Sequence, residues 1–374
     1  MKKKIGSLDI GLCIFLLLFF GISLVTIYSA STYLPDYLGN LPLKQAIWYA
    51  IGCIVILVML KVGNDRILSW AWYLYIIGVF LLALVLFLGK PYNGSRCWFS
   101  LPGIGTFQPS EFMKIILIVT LARFIHDFQE SKEKIGWKEE FFFLIKVALI
   151  YLIPTVLTFL EPDTGAIFIY TIITIVMLFV SGIHWRWFVI LFGGIFAIGV
   201  LFFYFYFFHQ EMLIQLFGSN LFYRIDRILD WQQGSGMQLE NALAAIGSSG
   251  LFGHGFNRTP IYFPESGTDF IFAVFASNFG LIGSLLFLGL IFGFDLYLLH
   301  IAKGQKKKPV NQYLIAGILG MLLYQQIQNI GMTLGLLPIT GITLPFISYG
   351  GSSLISYMIM LGIIFNITRE KTIN

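Results

Sequence analysis

Runs of about twenty apolar residues recur along this chain, and no other feature limits its fold as tightly. An α-helix rises about 1.5 Å per residue, so roughly 20 apolar residues cover the hydrocarbon of a bilayer. On that measure the sequence predicts about ten spans: 9–30, 44–62, 69–89, 109–126, 141–160, 165–182, 187–208, 270–300, 312–335 and 350–367. Each span must satisfy its own backbone N–H and C=O groups in lipid. The expected fold class is therefore all-α, a polytopic membrane protein forming a single domain over 1–374. Composition agrees: at 57% hydrophobic and 11% charged, a soluble globule of 374 residues could not hide its apolar surface. The first run, preceded by MKKK, is near full bilayer length and further spans follow it. It reads as a retained helix rather than a cleaved secretion signal.

Charge orients the spans. With the N-terminus in the cytoplasm, 17 of the 24 Lys and Arg residues fall on the inner side, against 7 outside. Such an excess marks cytoplasmic loops, so both termini are expected inside. The net charge of +5 is then read as anchoring of inner loops at anionic headgroups, with no nucleic-acid partner. The long segments 90–108 and 209–269 face outward, the second lying before the eighth helix. Within it, LFYRIDRILDW mixes apolar Leu221, Phe222, Ile225, Ile228 and Leu229 with charges, as in an amphipathic helix lying on the membrane or dipping into it. Cys13, Cys53 and Cys97 show no CxxC spacing and the five histidines no ligand spacing, so neither a disulfide framework nor a zinc site is expected.

Four polar constellations fall on the outer side of this topology. PESGTDFIFAV sets Asp269 directly before an apolar run. Its side chain either caps the helix or, beside a Gly-containing segment with room for substrate, serves as a general base. NGSRCWFSLPGIGTFQPSEFMK is rich in turn residues and reads as an ordered loop that runs into a helix, with Pro109 and Ser110 in the first turn. Glu111 and Lys114 share a helix face three residues apart. They form a local ion pair, or else Lys114 joins Arg96 in supplying positive charge to an anionic group. FLEPDTGA sets Glu161 and Asp163 around a proline; Asp163 is expected to cap the next helix, with metal binding as the other reading. GLLPITGITLPFISYGGSS ends in Gly350, Gly351, Ser352 and Ser353, small residues that suit either close helix packing or a cavity lining.

Together NGSRCWFSLPGIGTFQPSEFMK, EPDTG, IGSSGLFGHG, PESGTDFIFAV, GLIGS and NIGMTLGLLPITGITLPFISYGGSS, in this order over most of the chain, resemble the SEDS family (shape, elongation, division and sporulation; RodA-, FtsW- and SpoVE-like proteins), with a lean to the RodA-like elongation branch. The resemblance implies about ten transmembrane helices and a peptidoglycan glycosyltransferase that polymerises lipid II and releases undecaprenyl diphosphate. It also implies a class B penicillin-binding protein as partner, a divalent cation (Mg²⁺ or Mn²⁺), and a location in the bacterial cytoplasmic membrane with the active site outside. It maps the family's essential outer aspartate onto Asp269. The chain departs from the family pattern at Gly267, where histidine is common, and at Ser277 and Asn278, where an acidic pair is common.

On that footing Asp269 is expected to take the proton from the acceptor sugar hydroxyl. Charge growing on the diphosphate calls for cations, for which Arg96, Lys114, Arg224 and Arg227 are the candidates. Glu111, Ser352 and Ser353 are expected around the same substrate, and Glu111 and Asp269 are the candidate metal ligands. Two other functions stand beside this one: a lipid II flippase, which needs polar groups at mid-depth reachable from both sides, and a non-catalytic scaffold for the penicillin-binding protein. The clustering of polar groups on the outer side favours chemistry there, since Asp9 and Asp295 lie toward the inner ends of their spans.

Overall fold

The structure, a computed structural model, describes residues 8–32, 39–92, 95–101, 105–131, 136–217 and 236–371. Every expected span falls on a helix: α1 (Ile10–Ser31), α2 (Leu41–Val62), α4 (Ala71–Leu88), α5 (Pro109–Glu130), α6 (Trp137–Leu160), α7 (Thr164–Val180), α8 (Trp185–Phe208), α11 (Ile271–Lys303), α12 (Pro309–Thr333) and α13 (Gly351–Lys371). Short helices α3 (Asn64–Ser69), α9 (Gln210–Phe217) and α10 (Gly236–Gly247) join them. Among the described residues, α1, α2, α4, α6, α8, α11 and α13 are long and apolar enough to cross a membrane. The chain is a multi-pass membrane protein. α7 is shorter at 17 residues, and α5 and α12 carry buried polar side chains that lower their apolarity while facing other helices.

Helix starts follow from local chemistry. The first four N–H groups of a helix lack intrahelical acceptors, and a short polar side chain supplies one. Asp9 accepts from Leu12 N at 3.1 Å, Asn40 from Leu43 N at 3.0 Å and Asp163 from Ala166 N at 3.1 Å. The cap expected at Asp163 is thus present.

The bundle packs α13 along α2, and α12 along α7 and α5. α5, α12 and α13 are buried over much of their length, whereas α8 buries only Tyr206 among its described residues and presents the rest of its apolar surface outward. An outward apolar helix is stable in lipid, where no hydrophobic force drives it onto its neighbours.

Two features depart from the expectation. The 90–108 segment, expected as an ordered loop, contains strands: β1 (Lys90–Tyr92), β2 (Ser95–Leu101) and β3 (Gly105–Phe107) form a small antiparallel sheet in the order β1-β2-β3. The turn residues between them and the β-prone Cys-Trp-Phe run explain why this hairpin-like structure forms. Among the described residues the fold is all-α except for this sheet. The single span expected at 270–300 is broken at Gly280, whose φ of +65° lies in the left-handed region. Segment 250–255 docks at the break and takes up the released backbone groups: His254 N donates to Ser277 O at 2.9 Å, and Leu281 N to Gly250 O at 3.0 Å. A Cβ at Gly280 would fall 2.3 Å from Gly253 N, so only glycine fits. Asn278 completes the joint, donating to Ser29 Oγ at 2.6 Å and accepting from Thr259 Oγ1 at 3.1 Å.

Candidate active site

One large cavity, about 1280 Å³, opens where α2, α5, α7 and α13 begin and α12 ends. Its walls gather all four constellations read from the sequence. The NGSRCW…PSEF segment contributes Trp98, Gln108 and Glu111; EPDTG contributes Asp163 and Gly165; PESGTD contributes Glu265, Thr268 and Asp269; and GITL…YGGSS contributes Ile342, Tyr349, Gly351, Ser352 and Ser353. Trp48 and Lys44 enter from α2 and Gln325 from α12. Sheet β1–β3 forms one rim: Trp98 Nε1 donates to Gln108 Oε1 at 3.1 Å, and Gln108 Nε2 to Asp163 Oδ2 at 3.0 Å. Ser110 Oγ also donates to Asp163 Oδ2, at 2.9 Å, so this carboxylate ties the starts of α5 and α7 together.

Asp269 stands in the turn that precedes α11, and the turn is fastened from three sides. Thr268 N and Phe270 N donate to Glu265 O at 3.2 and 3.1 Å, closing the turn on itself. Ser348 Oγ donates to Thr268 O at 2.6 Å and Tyr349 N to Gly267 O at 2.9 Å, docking it on the segment before α13. Asn329, fully buried in α12, donates from Nδ2 to Asp269 O and to Ile342 O, both at 2.8 Å. Phe263 and Phe270, each 1% exposed, anchor the turn in the core. The side chain itself does not cap α11, which begins without a side-chain cap bond. Among the described residues its carboxylate oxygens accept no hydrogen bond and meet no cation. Burial, with a smaller contribution from the Glu265 charge, pushes the Asp269 carboxyl up to about 7. A half-buried carboxylate at a cavity wall, free of competing donors and titrating near neutral pH, is equipped to accept a proton.

A family model described as "Cell cycle protein", named for FtsW, RodA and SpoVE, matches residues 10–373. The chain belongs to the FtsW/RodA/SpoVE family. It is 35% identical to stage V sporulation protein E of Bacillus subtilis, over 99% of this chain and 99% of that protein. It is likewise 35% identical to the probable peptidoglycan glycosyltransferase FtsW of Coxiella burnetii, over 99% of each. In three dimensions it is similar to a chain of a peptidoglycan synthase complex that coordinates polymerization and crosslinking, with a TM-score of 0.79, 26% identity and 98% of both chains covered.

In this FtsW/RodA/SpoVE chain the expected site residues do not all meet. Asp269, Glu111, Ser352 and Ser353 line the cavity. Ser352 Oγ donates to Thr106 O at 3.0 Å and accepts from Gln108 N at 3.2 Å, joining the sheet rim to α13. Lys114 is fully buried behind the wall, its Nζ 2.6 Å from Glu111 Oε2 and 5.7 Å from the centre of the Tyr357 ring. The ion-pair reading of Glu111 and Lys114 is therefore the realised one, and Lys114 does not face the cavity. Arg96 points away and is exposed, because alternate residues of a strand face opposite sides: its neighbour Cys97 is the buried one. Arg224, Arg227 and the amphipathic stretch around them lie outside the described residues. Lys44 is the one cationic side chain among the described cavity residues. Sequence reading missed it, and missed Asn329. A cluster of amide side chains within an apolar span, Gln325, Gln326, Gln328 and Asn329, was the available signal for Asn329; Lys44, in the first turn of a capped helix, had none.

Proposed function

We propose that this chain polymerises lipid II at the outer face of the bacterial cytoplasmic membrane, with Asp269 as general base. One observation carries the reading: a carboxylate near neutral titration, met by no donor among the described residues, is held by a three-sided clamp on the wall of a cavity large enough for a saccharide. Asp269 takes the proton as the acceptor sugar oxygen attacks the anomeric carbon of the lipid-linked strand. The bond from that carbon to the diphosphate breaks, and undecaprenyl diphosphate leaves with the electron pair. The relatives named peptidoglycan glycosyltransferase support this reaction class. The cavity's place at the end of the bundle opposite the Lys306–Lys308 segment supports the outer face.

Charge on the departing diphosphate is met by Lys44 and by the positive ends of α2, α5, α7 and α13, which begin at the cavity. Arg96 and Lys114 are not placed to do this. A divalent cation, Mg²⁺ or Mn²⁺, belongs to the proposal as a companion of the diphosphate. Such ions are held by one or two carboxylates together with phosphate oxygens and water. Glu265 and Asp269 offer two carboxylates on one wall, and the ion would supply charge neutralisation there. Glu111 does not fit that role because Lys114 already takes its charge. Among the described residues no cluster of three His, Cys, Asp or Glu side chains forms a protein-built centre. A class B penicillin-binding protein is the partner we propose, supported by the similarity to a chain from a complex that couples polymerization with crosslinking.

The test is polymerisation of lipid II by purified protein. Asp269→Asn lowers the rate by about 10²–10⁴-fold, the range of a lost general base, while lipid II binding persists. Equal polymer from the variant rejects the assignment.

A further inference from the structure

The turn that carries Asp269 is docked on the segment before α13, and that segment has a support of its own. α2 buries Leu41, Gln45, Tyr49, Gly52 and Ile56, one helical face at spacings of three and four. Two of these five are polar, in a helix otherwise apolar enough to cross a membrane. A polar side chain buried there needs a partner. We propose that Gln45 and Tyr49 are positioning residues of this active site, acting on Asp269 through residues 346–348. The proposal rests on the reading of Asp269 as the base.

Three observations support it. First, three consecutive carbonyls outside any helix each take a side-chain donor from α1 or α2. Tyr49 OH donates to Phe346 O at 2.6 Å, Ser23 Oγ of α1 to Ile347 O at 2.8 Å, and Gln45 Nε2 to Ser348 O at 3.2 Å. Gln45 Nε2 also donates to Ser23 Oγ at 3.2 Å, which ties α1 and α2 together at this point. Second, Phe346 has a φ of +65°. That left-handed conformation is rare for a bulky residue and persists only where the surroundings hold it. Tyr49 grips the carbonyl of this same residue, and the Phe346 ring stacks on Phe19 with centroids 5.3 Å apart. Third, the next residues reach the turn of Asp269: Ser348 Oγ donates to Thr268 O and Tyr349 N to Gly267 O. The contacts from α2 to the residue before Asp269 therefore run without a gap.

The strained segment presents Ser348 to Thr268 only while its own carbonyls are held. Release of one carbonyl lets Phe346 relax toward an ordinary φ, and Ser348 then carries the Thr268–Asp269 peptide off its place. A shift of about 1 Å at a reacting group costs on the order of 100-fold in rate. The helix that does the holding also builds the cavity. Lys44 and Trp48, the residues just before Gln45 and Tyr49, line its wall. Consecutive residues of a helix point about 100° apart, so α2 meets the substrate on one side and supports the base from the next. Substrate and base are thereby placed relative to one rigid element, as precise chemistry requires.

The experiment is steady-state polymerisation of lipid II by the purified full-length protein, with Tyr49→Phe and Gln45→Met each made alone and in the Asp269→Asn background. Phenylalanine keeps the ring and methionine the length of the side chain, and each removes only the donor. The two variants free different carbonyls, so one serves if the other does not fold, as thermal unfolding in detergent reports. Each single variant lowers kcat about 10-fold and leaves KM within about twofold of wild type. In the Asp269→Asn background neither lowers the residual rate further, because no base is left to misplace. A loss by the same factor in both backgrounds marks a merely structural role and overturns the proposal. So does a wild-type kcat in the folded single variants, whether or not KM rises. Asp269→Asn alone separates the two ideas. If it keeps the wild-type rate, the base assignment fails; if it is impaired while the single variants match wild type, only the role of Gln45 and Tyr49 fails.

Discussion

The α5 wall and the turn before α11 bring carboxylates to the same cavity and treat them in opposite ways. On α5, Glu111 is locked to a fully buried lysine at 2.6 Å, and that lysine lies over the Tyr357 ring. In the turn, Glu265 and Asp269 share a wall with no cation against either among the described residues, and every clamp on Asp269 grips backbone rather than carboxylate. A paired charge is stabilised and chemically quiet; an unpaired one is costly and ready to bind a proton. Under the proposed reaction, the difference separates the part of the cavity that holds the bundle together from the part assigned to chemistry.

The sharpest way to break the contrast is to unpair the quiet side. Lys114→Ala leaves the Glu111 charge at the wall without its partner and costs about 3–5 kcal/mol of stability. A depressed thermal unfolding temperature in detergent shows it. The double variant Lys114→Met with Glu111→Leu recovers most of that loss, because it removes both charges at once. A smaller effect comes from loosening the reactive side. Asn329→Ala removes two 2.8 Å bonds, to Asp269 O and Ile342 O, at about 1–3 kcal/mol. Steady-state polymerisation then shows kcat reduced roughly 10- to 100-fold with KM little changed, since the base is misplaced while the cavity remains.

Proton affinity sharpens the comparison further. The proposed base can take a proton only when ionised, and burial pushes the Asp269 carboxyl up to about 7. The wild-type rate therefore rises with pH and reaches half its plateau near 7, which a pH series reads directly. A separate test concerns Glu161, buried between α6 and α7 with both carboxyl oxygens lacking a partner among the described residues. Burial, then the neighbouring Asp163, pushes it from 4.5 up to about 9. A raised acid contributes stability that is full below its ordinary value and is lost as pH climbs through its folded value. Unfolding temperature should therefore decline between pH 5 and 9 in wild type, and less so in Glu161→Gln, which stays neutral throughout.

Much of this molecule is decided by local chemistry, and that part was legible. Apolar runs of bilayer length specify helices wherever they occur, because lipid offers the backbone no other partner. Asp163 caps α7 and Glu111 meets Lys114 because both contacts span three residues along one element, within reach of periodicity. Asp269 could be singled out, but its choice between cap and base could not, since the answer lies in what surrounds its oxygens. The tertiary structure alone decided that the polar segments converge on one cavity, that Arg96 faces away while Lys44 faces in, that Gly280 breaks α11 to receive residues 250–255, and that Asn329 clamps a turn 60 residues distant in sequence. Those outcomes depend on which helices become neighbours and how each is rotated about its axis, and a helix of uniformly apolar residues carries no record of either in its own sequence.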